Sequence, residues 1–161
     1  ALLRRFGTSL RRAQELDQAA SVLETSLEHL GQSGDPAEWV RALLELAVCY
    51  RLMGDLNAAG LYASDALVFA RQLKHEALMW EVELAAAEVE WVGGERRADS
   101  GKRLRKAVEG LQRADASKPE VAEALIRTGE MLSSSNDTGA GQLIERGRKM
   151  AREMGAELLL S

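Results

Sequence analysis

The sequence predicts an all-α chain of about eight helices, paired into about four helix-turn-helix units, and three observations predict it. Apolar residues recur at helical spacing through most of the chain. Small residues recur with a period of 40 to 41, and no segment alternates with period two over a useful length. A period of that size, with two helices in each unit, describes a superhelical array. Such an array buries its apolar surface between neighbouring units rather than in one centre.

The first helices carry Leu3-Phe6-Gly7-Leu10, Leu43-Leu46-Ala47-Tyr50, Leu84-Ala87-Glu88-Trp91 and Leu125-Thr128-Gly129-Leu132, each at i, i+3, i+4 and i+7. Trp39, Trp80 and Val121 occupy one common place just before the last three. The second helices open their stripes at Ala19, Ala59, Ser100 and Ala140, which lie 40, 41 and 40 residues apart. In the second unit that stripe is Ala59, Ala63, Ala66 and Ala70. Methyl-sized residues facing larger ones let two antiparallel helices approach closely.

The punctuation between helices fits this reading. Gly31-Gln32-Ser33-Gly34-Asp35-Pro36 closes the first hairpin. Asp35 reads as an N-cap, Pro36 as the first helical residue, and Glu38 as the third member of a capping-box pattern. Met53-Gly54-Asp55 is a tight turn with Asp55 as the next cap. Gln72-Leu73-Lys74-His75 holds no strong breaker and leaves its boundary open, and Gly93-Gly94-Glu95-Arg96-Arg97 reads as a looser turn. Lys118-Pro119-Glu120 restarts the chain, and the fourth unit needs a one-residue slip at Ser133-Ser134-Ser135-Asn136-Asp137. The units are then 1–34, 35–74, 75–116 and 117–156 of a single domain, with 157–161 starting a further repeat or folding back as a cap. Ala1-Leu2-Leu3 begins inside an apolar helical pattern without a cap, so the chain reads as a fragment of a larger polypeptide.

Phe6-Gly7, Tyr50, Gly54-Asp55, Ala59 and Ala66 resemble the tetratricopeptide repeat in its longer form of about 40 residues. Repeats of this kind occur in the maltose-regulon activator family and in kinesin light chains. The third unit departs most, since Glu88 replaces the small residue. The resemblance implies a right-handed superhelix whose first helices line a concave face and whose second helices form the outer wall. It is specific for fold and carries many unrelated partners.

Composition narrows the function. The chain is 46% hydrophobic and 29% charged with two prolines, which suits a folded helical protein. Its net charge is −4 with both signs interspersed, so no basic field argues for nucleic acid; Arg4, Arg5, Arg11 and Arg12 are the only local support. No apolar run approaches the ~18 residues of a membrane span, and no signal peptide is visible. The single Cys49 has no internal partner, which fits a reducing compartment and makes the cytoplasm the expected location.

No enzyme, metal or cofactor is expected. Cys49 lies beside a packing stripe and reads as a packed thiol. His29 and His75 belong to no metal-ligand spacing, and Ser100-Gly101-Lys102 lacks the upstream glycine of a phosphate loop. Asn136-Asp137-Thr138 matches a glycosylation sequon but reads as a turn and N-cap. Glu81, Glu83, Glu88 and Glu90 read as a solvated face.

What remains is surface. Flanking the packing stripes on the first helices are Arg4, Thr8, Arg11 and Arg12, then Arg41, Leu44, Val48, Arg51 and Leu52. The third unit contributes Val82, Ala85, Val89 and Val92, and the fourth Glu123, Ile126, Glu130 and Ser133. The inferred groove is basic at its N-terminal end, apolar in the middle and acidic at the far end. It suits a protein or peptide partner with acidic and apolar anchors, because arginine forks pair carboxylates bidentately. The expected function is a non-enzymatic protein-interaction scaffold, with self-association through repeat ends as a further mode. The alternative is a ligand- or peptide-sensing segment of a larger regulator. The chaperone-type carboxylate clamp is not expected, since Arg4, Thr8, Leu44 and Val48 stand where that subfamily has lysine and asparagine.

Overall fold

The computed structural model describes residues 2–94, 97–114 and 116–155. Among these every regular element is an α-helix: α1 (Leu2–Arg12), α2 (Leu16–Ser33), α3 (Pro36–Met53), α4 (Leu56–Gln72), α5 (Glu76–Gly93), α6 (Arg97–Arg113), α7 (Lys118–Ser133) and α8 (Ala140–Glu153). Each helix packs on the next, and first helices also touch across units, α1 on α3 and α3 on α5. The all-α expectation, its eight helices and their repeat-like packing hold. The expectations for residues 157–161, and for Glu95 and Arg96 in the third turn, lie outside the described residues.

The turns show which signals were physical. Asp35 caps α3, its Oδ1 accepting from the Ala37 N–H at 2.9 Å, with Pro36 opening the helix. Glu38 sends its carboxylate to Arg4, a charge partner on another helix. Gly54 ends α3 at φ +85, a backbone region that costs glycine nothing. Asp55 then caps α4 through the Ala58 N–H at 3.0 Å. The boundary left open at Gln72-Leu73-Lys74-His75 is sharp. Lys74 adopts φ +53, and His75 caps α5, its Nδ1 accepting from the Leu78 N–H at 3.2 Å. Asp137 does not cap α8. It accepts from the Gly139 N–H at 2.9 Å, and Gly139 itself is the capping residue.

Burial confirms the register. Ala19, Ala59, Ser100 and Ala140 are all buried, as are Leu23, Ala63 and Leu104 one turn on. Ala66, Ala70, Ala107, Leu111 and Ala151 continue the same faces. Where the stripe is smallest the backbones come closest. A Cβ on Gly129 would lie 2.6 Å from Ile144 Cγ1 and 2.8 Å from the Ala140 carbonyl, so α7 and α8 touch at backbone distance. The α6–α7 junction has the fewest close backbone approaches of any consecutive pair. Leu104, Val108 and Leu111 meet Val121, Leu125 and Leu132 there in one core cluster, and bulk replaces closeness. Tyr50 closes its stripe by stacking on Tyr62 at 5.4 Å, both phenols donating to Glu24. That hydrogen bond pushes the Tyr50 phenol up to about 12.

Candidate functional site

The inner faces of α3, α5 and α7, with the last turn of α1, enclose a cleft of about 280 Å³. α3 supplies Leu44, Glu45, Val48, Arg51 and Leu52. The spacing 44, 48, 51 keeps these residues on one side of the helix while Leu43, Leu46 and Ala47 turn into the core. α5 supplies Glu81, Leu84, Ala85 and Glu88 at i, i+3, i+4 and i+7, and α7 adds Glu120, Glu123, Ala124 and Arg127. Arg11 and Arg12 close the α1 end.

Seven of the twelve residues singled out in the sequence line this cleft: Arg11, Arg12, Leu44, Val48, Arg51, Leu52 and Glu123. Val82 does not. It is buried in the α3–α4–α5 core with Val40, Leu43 and Ala70, because the apolar arc of α5 is wider than its periodic stripe. Val89, seven residues on, is half-buried and outside the lining. Glu130 is exposed beyond the far end, and Arg4 and Arg41 lie outside the N-terminal end. Of the residues read from the sequence as flanking the stripes, the cleft takes Leu44, Val48, Arg51 and Leu52 from α3, Ala85 from α5 and Glu123 from α7.

The arginines are not free. Arg4 Nε donates to Glu38 at 2.8 Å, with Arg41 on the same carboxylate at 3.4 Å. Arg11 Nε donates to Glu45 at 2.7 Å. Arg4 and Arg11 are two helical turns apart on α1, as Glu38 and Glu45 are on α3, so two ion pairs repeat along one seam. The Arg4 hydrogen bond holds the Glu38 carboxyl below its ordinary value. The far seam is built around Glu88, expected as solvated and in fact 1% exposed. Arg51 of α3 reaches it at 3.2 Å and Arg127 of α7 at 2.7 Å. One carboxylate thus takes a guanidinium from each neighbouring first helix. Burial pulls the Arg51 charge below its ordinary value, and Glu88 opposes that pull. Arg127 also holds Glu123 at 3.3 Å.

Glu81 differs from these. It makes no ion pair with any described residue. Burial, reinforced by Glu120 across the cleft, pushes its carboxyl up to about 7, with Arg41 and Arg4 pulling the other way. Glu83 and Glu90, read with it as one solvated face, instead pair with Arg103, and Arg71 joins Glu83. Glu81, Glu88, Glu120 and Arg127 were missed as cleft residues. The 34-residue spacing of Arg4–Glu38 and Arg11–Glu45 is a signal for the first seam alone, since Glu88 meets Arg51 and Arg127 at separations of 37 and 39.

A second cavity of about 320 Å³ lies over Trp80 and Met79 between α4, α5 and α6, with Arg71, Arg103 and Lys106 around Glu83. Cys49 is buried, and burial pushes its thiol up to about 11, where it stays protonated and unreactive at neutral pH. Among the described residues no three histidines, cysteines or carboxylates gather as metal ligands, and no helix is long and apolar enough to cross a membrane. No protein-family model and no curated protein matches this sequence.

Proposed function

We propose that this chain is a tetratricopeptide-like, non-enzymatic interaction scaffold whose concave cleft holds a segment of a partner polypeptide. The observation that carries this reading is the apolar shelf of Leu44, Val48 and Leu52 on the cleft wall, where Leu52 is 49% exposed. An apolar side chain resting there loses water from both surfaces. The partner's charge follows from which groups are already engaged. Arg11, Arg51 and Arg127 answer to glutamates of the array, whereas Glu81 and Glu120 make no ion pair with a described residue. A segment carrying an apolar residue beside a lysine or arginine therefore fits the α5–α7 wall, with Arg12 left for a carboxylate at the opposite end.

The test is affinity capture from a lysate of the source cells with wild type and a Val48→Asp, Leu52→Asp variant of unchanged helical content. A protein retained by wild type and lost by the variant supports the cleft. Equal retention by both removes it. A second reading, a sensing segment of a larger regulator, is favoured by the Arg51–Glu88–Arg127 link. An occupant that drew Arg127 away from Glu88 would loosen α7 from α5 beside the α6–α7 junction, where the backbones approach each other least often.

A further inference from the structure

On the side of α5 away from the cleft, the third unit replaces apolar packing with charge. In the repeat register Glu83 stands where α3 has Ala42 and α7 has Ala124, and Arg103 stands where α4 has Tyr62 and α8 has Leu143. Ala42, Ala124 and Leu143 are buried and Tyr62 is half-buried. The tryptophan places differ in the same way. Trp39 is wedged between α2 and α4: its Cζ3 lies 3.2 Å from where a Gly31 Cβ would be, and its ring meets Phe69 edge-on at 6.3 Å. Around Trp80 the counterpart of Gly31 is Arg71, and the counterpart of Phe69 is Gly110. The Trp80 indole lies on the bare Gly110 backbone, where a Cβ would collide with it. Beside it opens the second cavity, of about 320 Å³, which is at the lower end of the ~300–1,000 Å³ typical of small-ligand sites.

Charge decides what this cavity can hold. Arg71, Arg103 and Lys106 line it with one carboxylate, Glu83. Glu83 accepts from Arg103 at 3.0 Å and from Arg71 at 3.3 Å, and Glu90 takes the other end of the Arg103 fork. Arg103 is therefore engaged by two carboxylates and fixed in place. Arg71 commits a single nitrogen and is 62% exposed. Lys106 is exposed, as is Lys102 one turn earlier on the same face of α6, and neither makes an ion pair with a described residue. Two ammonium groups and most of one guanidinium are thus unanswered around one opening. A phosphate monoester brings about −2 charge and three strong acceptor oxygens. Those oxygens suit a guanidinium fork working beside a point-charge lysine. Met79, Trp80 and Ala107 give the cavity an apolar side, which suits a flat, apolar group behind the phosphate.

We propose that the cavity between α4, α5 and α6 binds an aryl phosphate, its oxygens held by Arg71 and Lys106 with Lys102 at the rim and its ring resting on Trp80. This site lies on the opposite side of α5 from the cleft, and its test stands or falls separately.

The experiment titrates the full chain at neutral pH and fixed ionic strength, followed by the indole N–H resonances of its three tryptophans. The probes are phenyl phosphate, inorganic phosphate, benzoate and a short peptide bearing one phosphotyrosine. The expected result is a saturable shift of the Trp80 resonance with Trp39 and Trp91 unmoved, and phenyl phosphate binding about tenfold tighter than benzoate or inorganic phosphate. Arg71→Gln combined with Lys106→Gln should weaken phenyl phosphate by about tenfold or more, whereas Lys149→Gln on α8 should leave it unchanged. All three side chains are exposed, so thermal melts should not move. Tighter binding of the peptide than of phenyl phosphate would support the site with a phosphorylated polypeptide as its ligand. Equal or weaker binding would support it with a small aryl phosphate. The proposal is overturned by an unmoved Trp80 resonance, by phenyl phosphate binding no tighter than benzoate or inorganic phosphate, or by an equal loss in the Lys149→Gln variant.

Discussion

Every first helix in the middle of this array has two working sides. One lies against second helices and is dry: Leu43, Leu46 and Ala47 on α3, and Leu84 and Ala87 on α5, meet stripes of alanine and leucine. The other faces the cleft and is knit to the neighbouring first helix by charge, through Arg4–Glu38, Arg11–Glu45 and Arg51–Glu88–Arg127. Both sides hold repeats together, but by different physics. Dry packing is nondirectional and proportional to area. A buried ion pair is directional, and it costs more when one partner is removed than it contributes when whole.

That difference sets the order of the following predictions. On the dry side, Ala59→Trp should be the most damaging change, because an indole cannot enter a contact built for a methyl group. A loss well above the ~3 kcal/mol common for overpacking is expected, read as a missing cooperative melt. A normal melt would mean the register is wrong. On the cleft side, Glu88→Ala should cost ~3–5 kcal/mol, since it leaves Arg51 and Arg127 facing each other without a counter-ion. Replacing Arg51, Glu88 and Arg127 together by methionine should be near neutral in denaturant unfolding. If the triple variant is as unstable as Glu88→Ala, the seam is held by something other than this charge arrangement.

The same register place can be read in two environments. Leu46→Ala, in a covered place, should cost ~2–5 kcal/mol. Phe6→Ala, at the open end, should stay within ~0.5 kcal/mol. Similar costs at both positions would show that α1 is covered in solution.

The smallest effect expected is that of pH. Glu81 has a folded value near 7, above the ordinary 4.5, so the folded chain binds the extra proton. Its contribution to stability is therefore fully present below about pH 4.5 and is lost as pH rises through about 7. Glu81 is only partly buried, so solvent screens part of the effect. Glu81→Gln should flatten this part of the stability–pH curve, and an unchanged curve would place the titration elsewhere.

The dry side was legible in the sequence and the cleft side largely was not. The 40- to 41-residue period and the alanine stripe located the buried places of α3 to α8, because apolar periodicity is a local property of one helix. Asp35, Gly54 and Asp55 were legible for the same reason. Glu88 was misread because its partners stand 37 and 39 residues away on other helices, and nothing within one turn of α5 separates a paired glutamate from a solvated one. Val82 was misread because two apolar faces of α5 merge, which hides where the core ends. His75 escaped notice as a cap because its Nδ1 acts in place of the usual short oxygen side chain.

The central claim is that the inner-face charges bind first helix to first helix. Its most direct test is a double-mutant cycle on Arg51 and Glu88, measured by denaturant unfolding of the wild type, Arg51→Ala, Glu88→Ala and the double variant. The prediction is a coupling energy of at least ~1 kcal/mol that survives 1 M salt, because the pair is shielded from solvent. Additive losses, with coupling within ~0.3 kcal/mol of zero, would contradict it.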